Sequence, residues 1–187
     1  LIRNINDLIT VKQVSSVAHQ LSKKRILSET YGCSGWNLTF EAQKWIGDWQ
    51  YVLGVNLLNQ HLALYSMKGC RKRDYPPSLY YQEPWWRYHK VIADYFARLS
   101  WILTQGKFSA KLLVIHPIES AWAVYSPKDK SKVEDLNKSF MTLSELLCGL
   151  HKNYDFGDEG IIEKYAKTED GKFKIGDTIK VVTNINV

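Results

Sequence analysis

The sequence predicts an α/β protein, and three observations carry that prediction. Helical periodicity alternates with short apolar runs along the first hundred residues. A fresh apolar strand follows a Gln-Gly-Lys break near residue 106. The composition is that of a folded chain, with 45% hydrophobic and 24% charged residues among 187, enough to bury one ordinary core or two small ones.

Val11, Val14, Val17, Ala18 and Leu21 recur at helical spacing and predict an amphipathic helix over residues 11–21. Residues 25–30 are a short apolar run that stops before Gly32, Ser34 and Gly35, as a buried strand followed by a functional loop does. Phe40, Trp45, Trp49, Val52 and Leu53 predict a second helix over 39–53, closed by Gly54. A second strand is expected over 57–67. The prolines of the long 68–84 loop keep it out of a helix, and its aromatic content argues for function. A helix over 85–104 completes this half.

The chain changes character at 106–110, which sets the expected domain division at 1–106 and 107–187. Residues 111–115 form an apolar strand ended by His116-Pro117, and a Lys-rich loop at 126–132 leads to a helix over 133–150. Tyr154-Asp155-Phe156-Gly157-Asp158 is expected to be a turn, followed by a helix over 159–165, a strand over 172–175 and a β-rich end at 179–187. The pattern suits the opening of a second, open α/β layer.

Several function classes lose ground at this stage. No apolar run approaches the ~18 residues of a membrane-spanning helix, so no membrane partner is expected. The formal charge of +6 is divided among short groups, Lys23-Lys24-Arg25, Arg71-Lys72-Arg73 and Lys128-Lys130-Lys132. Solvated loop cations explain these better than a nucleic-acid surface. Cys33, Cys70 and Cys148 are too far apart for a disulfide framework or a Cys-x-x-Cys zinc site. No metal or other cofactor is expected. The first ten residues lack the apolar core of a signal peptide, and the absence of an initiator Met predicts a native N-terminus further upstream; localisation, cytoplasmic or exported, stays open. An oligomer is compatible with all of this.

The chain is rich in aromatics, with 7 Trp, 11 Tyr and 6 Phe. Most serve as core, but Trp and Tyr in loops also stack on the apolar faces of sugar rings. The segment with chemical content is Ser28-Glu29-Thr30-Tyr31-Gly32. A carboxylate at the C-terminal end of a parallel strand stands where α/β enzymes build their sites. Glycosidases need two such groups, one to protonate the leaving oxygen and one to attack or to activate water. Glu29 is the catalytic candidate. Tyr31 and Trp36, just after it, are candidates for sugar stacking, and His61 and Tyr65 for further substrate contacts. His61 admits two roles, a hydrogen bond to a sugar hydroxyl or a core histidine bonded to backbone.

Ser28-Glu29-Thr30-Tyr31-Gly32-Cys33-Ser34-Gly35-Trp36, with Gly47-Asp48-Trp49-Gln50, Gly54-Val55-Asn56-Leu57, His61, Arg73-Asp74-Tyr75-Pro76 and Tyr81-Gln82-Glu83-Pro84-Trp85, resembles bacterial barrel glycoside hydrolases. The nearest group is α-L-rhamnosidase-like enzymes and relatives of β-galactosidase, and the resemblance runs over roughly residues 8–180. It implies that residues 1–106 are the C-terminal part of a (β/α)8 barrel and that 107–187 begin an amidotransferase-like α/β domain, without that domain's own chemistry. It implies that Glu29 acts as nucleophile in a retaining reaction or as base in an inverting one, that the partner carboxylate lies upstream of this sequence, and that the substrate is a plant- or host-derived oligosaccharide. The intact parent protein would be the enzyme and the fragment alone inactive. The alternative is a non-catalytic carbohydrate-binding or interaction domain.

Overall fold

The computed structural model describes residues 5–73, 79–170, 172–176 and 178–183. Asp74-Tyr75-Pro76-Pro77 of the long loop and the last four residues of the expected β-rich end therefore lie outside the described residues. The chain divides into two units, one of residues 24–106 and one that joins residues 5–23 to the chain from Lys107 onward. The division into 1–106 and 107–187 thus needs one correction: the N-terminal helix belongs to the second unit. Its packing, given below, is the reason.

In the first unit, β1 (Leu27–Thr30), α2 (Phe40–Val52) and β2 (Leu57–Gln60) form a strand-helix-strand motif, with β1 parallel to β2 from Leu27 opposite Leu57 to Thr30 opposite Gln60. The α2 helix starts at Thr39, whose hydroxyl accepts the Ala42 N–H at 3.1 Å, satisfying one of the donors a helix start leaves free. It stops where Gly54 takes φ 109°, a conformation side-chain-bearing residues avoid. Asn56 then clamps the entry to β1: its Oδ1 accepts from Ile26 N at 2.9 Å and its Nδ2 donates to Lys24 O at 2.9 Å.

The expected single strand over 57–67 is two strands. The β2 ladder ends opposite Thr30, where β1 turns away at Tyr31 with φ 70°, and Ala63–Leu64 (β3) pairs instead with Leu79–Tyr80 (β4), also in parallel. The expected helix over 85–104 is likewise divided, into a short 3-10 turn at Trp86–Tyr88 and α3 (Lys90–Ile102). Helices α2 and α3 touch through Gly47, where a side chain would strike the Phe96 ring; Phe96 in turn packs on Tyr51 with ring centroids 5.3 Å apart. The unit therefore holds two small parallel ladders, and among the described residues there is no closed barrel.

The second unit is built on a five-stranded mixed sheet of order β6-β5-β9-β8-β7. Strand β5 (Leu112–Ile115) lies parallel to β6 (Tyr154–Gly157) on one side and to β9 (Thr178–Thr183) on the other, while β8 (Lys172–Ile175) is antiparallel to both β9 and β7 (Ala166–Glu169). Helices α4 (Ile118–Val124), α5 (Ser131–Gly149) and α6 (Glu159–Tyr165) complete it. The core gathers Ile9, Val114, Phe140, Tyr154 and Phe156.

The expected turn over 154–158 needs a correction: Tyr154–Gly157 are the buried edge strand β6, and Asp158 caps α6. Asp155 suggests a turn, yet its carboxylate is wholly buried and bonded to His19 Nδ1 at 2.9 Å. A buried carboxylate is tolerated when paired. Helix α1 (Ile5–Gln20) supplies more than that pair. Ser16 Oγ accepts the Phe156 N–H at 2.9 Å and Gln20 Nε2 donates to Phe156 O at 2.8 Å. Side chains of a helix thereby satisfy the outward backbone groups of an edge strand, which explains why α1 joins this unit.

Candidate functional site

The alternation of burial along β1 decides which way its side chains face. Ile26 and Thr30 are buried, and Thr30 Oγ1 accepts from Gln50 Nε2 of α2 at 3.3 Å. That face belongs to the helix layer. Leu27 and Glu29, offset by one residue, stand on the opposite face and are exposed. Glu29 therefore points away from α2 near the C-terminal end of the strand. In a parallel ladder, residues in register project to the same face. Asn59, opposite Glu29 in β2 and also exposed, is its lateral neighbour.

The loop leaving β1 is held in an unusual backbone. Tyr31 (φ 70°), Cys33 (φ 58°) and Gly35 (φ 80°) all occupy the left-handed region. For an aromatic residue such as Tyr31 this costs about 1–2 kcal/mol, and such outliers cluster at functional sites. The Tyr31 ring is buried and its hydroxyl donates to Gln43 O at 2.8 Å, which anchors the loop to α2. Burial, with the nearby Tyr51 and Asp48, drives the phenol's pKa far up, so it stays a donor.

An open pocket of about 330 Å³ lies beside this strand end, lined by Glu29, Thr30, Tyr31, Gly32, Ser34, Ile46 and Gln50. Among the described residues that line it, none is cationic. The sequence candidates divide around it. Glu29 and Tyr31 are in its wall, Tyr31 by virtue of its anchored position and without an open ring face. His61 packs on the adjoining Gly32, where an added Cβ would come within 3.1 Å of His61 Cδ2, and its backbone N–H bonds Thr30 O at 2.8 Å. Trp36 does not line the pocket; it is half-buried and donates its indole N–H to Lys72 O at 2.8 Å. Tyr65, 94% exposed, lines a separate open groove of about 720 Å³ with Leu64, Lys68, Tyr80 and Tyr81.

Sequence reasoning named Ser34 and Gln50 within the segments that carry the resemblance but gave them no role at the site, and it missed Asn59. Ser34 and Gln50 could have been suspected from their spacing around the Glu29 loop. Asn59 could not, because its relation to Glu29 depends on interstrand register. Among the described residues no group of three or more His, Cys, Asp and Glu is placed to hold a metal ion, and no helix is long and apolar enough to cross a membrane.

No protein-family model matches the chain, and no curated protein matches it. Among solved structures it is similar to a rhamnosidase from Novosphingobium sp. PP1Y, with a TM-score of 0.69 at 15% sequence identity over 95% of this chain. The match occupies 16% of that much longer chain. At this identity the likeness is one of fold: a mixed α/β chain with small parallel sheets that resembles a portion of a rhamnosidase.

Proposed function

We propose that this chain is part of a glycoside hydrolase that cleaves O-glycosidic bonds of oligosaccharides with paired carboxylates, one of them Glu29. The observation that carries the reading is the face of β1 on which Glu29 stands. Its carboxylate projects away from the helix layer, near the C-terminal end of a parallel strand, beside a loop in left-handed backbone. Parallel α/β enzymes assemble their chemistry at that end. In this reading β1 and β2 are late strands of a (β/α)8 barrel, their exposed faces turned to its interior, and the second unit is an amidotransferase-like α/β domain. The fold likeness to part of a rhamnosidase supports the assignment.

Glu29 then attacks the anomeric carbon or takes a proton from the attacking water, while a carboxylic acid from outside this sequence protonates the leaving oxygen. His61 holds the Gly32 turn behind Glu29, and Trp36 stiffens the loop against Lys72.

The test is Glu29→Gln in the intact protein, assayed on a panel of aryl glycosides. A carboxamide neither attacks nor accepts the proton, and turnover falls by about 10²–10⁴-fold with the fold intact. Near-normal turnover refutes the assignment. One observation favours a second reading, a non-catalytic sugar platform: the exposed Tyr65 and Tyr81 border the other groove. Sugar binding lost in Tyr65→Ala but kept in Glu29→Gln, with no turnover by the wild type, would select it.

A further inference from the structure

We infer that Asn59 is a second ligand-binding residue of the Glu29 site, and that it and Glu29 together grip one hydroxyl group between them. The inference rests on the glycosidase reading above and extends it to a residue in the neighbouring strand.

The register of the β1–β2 ladder sets Glu29 directly opposite Asn59, and both are exposed on the face away from α2. Neither side chain has a hydrogen bond or ion pair with another described residue. On the other face of the same strand end the polar side chains are turned inward and bonded, Thr30 to Gln50 and Tyr31 to Gln43 O.

Their chemistry is complementary to a group that both donates and accepts. An ionised carboxylate only accepts, and a carboxamide nitrogen only donates. A hydroxyl seated between them gives its proton to Glu29 and accepts from Asn59 Nδ2. The spacing fits as well. An O–H···O bond of about 2.7 Å and an N–H···O bond of about 2.9 Å, meeting at a tetrahedral oxygen, span about 4.6 Å; neighbouring strands lie about 4.7–4.9 Å apart. An anionic ligand group would be repelled by Glu29, and among the described residues no cation lines the adjoining pocket to offset that.

The hydroxyl is that of a sugar or of the attacking water, and kinetics separate the two. The intact protein is assayed with aryl glycosides, beginning with an aryl α-L-rhamnoside, as wild type, Asn59→Ala, Asn59→Asp and Glu29→Gln. Asn59 is exposed, so circular dichroism should give the variants the wild-type melting curve. Losing one hydrogen bond to a charged partner's ligand lowers kcat/KM about five- to 150-fold in Asn59→Ala, and Asn59→Asp, which loses the donor and adds a like charge, loses at least as much. A loss carried by KM identifies a sugar hydroxyl; one carried by kcat identifies the water. Losses under fivefold in both Asn59 variants, with Glu29→Gln inactive, overturn this inference and leave the role of Glu29 standing. A gain in Asn59→Asp overturns it too, since that would mean a cationic ligand. Turnover retained by Glu29→Gln, or no turnover by the wild type, overturns the underlying reading and this inference with it.

Discussion

Removing the Ser16 hydroxyl tests the docking of α1 on the edge of the second sheet. Ser16 is fully buried, and its Oγ is the acceptor of the Phe156 N–H at 2.9 Å. Phe156 is itself buried on β6, which among the described residues is an edge strand with a sheet neighbour on one side only. In Ser16→Ala the N–H keeps its burial and loses its partner, which costs about 1–3 kcal/mol. Gln20→Leu orphans the carbonyl of the same residue, which Nε2 reaches at 2.8 Å. It also removes Gln20 Oε1, a buried oxygen with no partner. That relief offsets part of the loss, and a carbonyl tolerates under-satisfaction better than an N–H. Ser16→Ala is therefore expected to be the more damaging of the two, despite the smaller change in volume.

The choice of assay follows from the distribution of tryptophan. Of 7 Trp, only Trp122 lies outside residues 24–106, so intrinsic fluorescence reports chiefly on the first unit. Amide hydrogen exchange of the 154–157 segment reports on the second. Ser16→Ala should accelerate exchange there by about five- to 150-fold, the equivalent of 1–3 kcal/mol, with residues 24–106 unchanged. Exchange in β6 within twofold of wild type in both variants would refute the edge-capping argument. So would a loss shared equally by residues 24–106.

Three further outcomes follow from local geometry. Gly47→Ala would set a Cβ 2.2 Å from Phe96 Cζ; after about 1 kcal/mol of gained helix propensity, overpacking leaves a net loss of about 1–2 kcal/mol, measurable by urea denaturation followed through tryptophan fluorescence. Gly176→Ala combines φ 58° with a Cβ 2.4 Å from the Gln20 carbonyl oxygen. A loss above ~2 kcal/mol is expected from the left-handed backbone and the clash together, seen as faster exchange at the end of α1. Burial lowers the pKa of His116 against the opposing pull of Asp158 and Glu159. With a folded value below the unfolded ~6.5, its contribution is complete above about pH 6.5 and is lost as pH falls from there through the folded pKa. Exchange protection of the second sheet should drop between pH 7 and 5.5, and less so in His116→Gln.

What the sequence made legible is what local pattern encodes. The apolar spacing over 39–53 and 133–150 is realised as α2 and α5, and the run before Gly32 as β1. What it hid depends on distant partners. Asp155 looks like a turn residue until His19, far away in the chain, is seen bonded to it. The run over 57–67 reads as one strand because nothing local tells Leu57–Gln60 and Ala63–Leu64 that they pair with different neighbours. The apolar spacing over 11–21 predicts that Val14 and Val17 face the core, yet both are exposed and Lys12, Ser15, Ser16 and Gln20 are buried instead, because the edge strand takes its hydrogen bonds from Ser16 and Gln20. Glu29's position near a strand end is likewise visible in one dimension; its neighbour Asn59 is not.

The arrangement around Glu29 separates rigidity from availability. Tyr31 is tied by its hydroxyl to Gln43 O, Thr39 caps the helix that follows, Trp36 is bonded to Lys72 O, and the His61 ring backs Gly32. The tyrosine, threonine and tryptophan contacts each occupy a polar side-chain group, and the His61 ring packs against the turn at Gly32. A left-handed Tyr31 that costs about 1–2 kcal/mol persists only where its surroundings over-determine it, and here they do so through that hydroxyl. Tyr31→Phe therefore removes the anchor without removing the ring, and the loop should relax toward ordinary backbone. If the strain serves the site, kcat of the intact protein falls more than its stability does. If it serves only the fold, the melting temperature falls and kcat per folded molecule is unchanged, and the loop is then a structural feature that happens to adjoin the carboxylate.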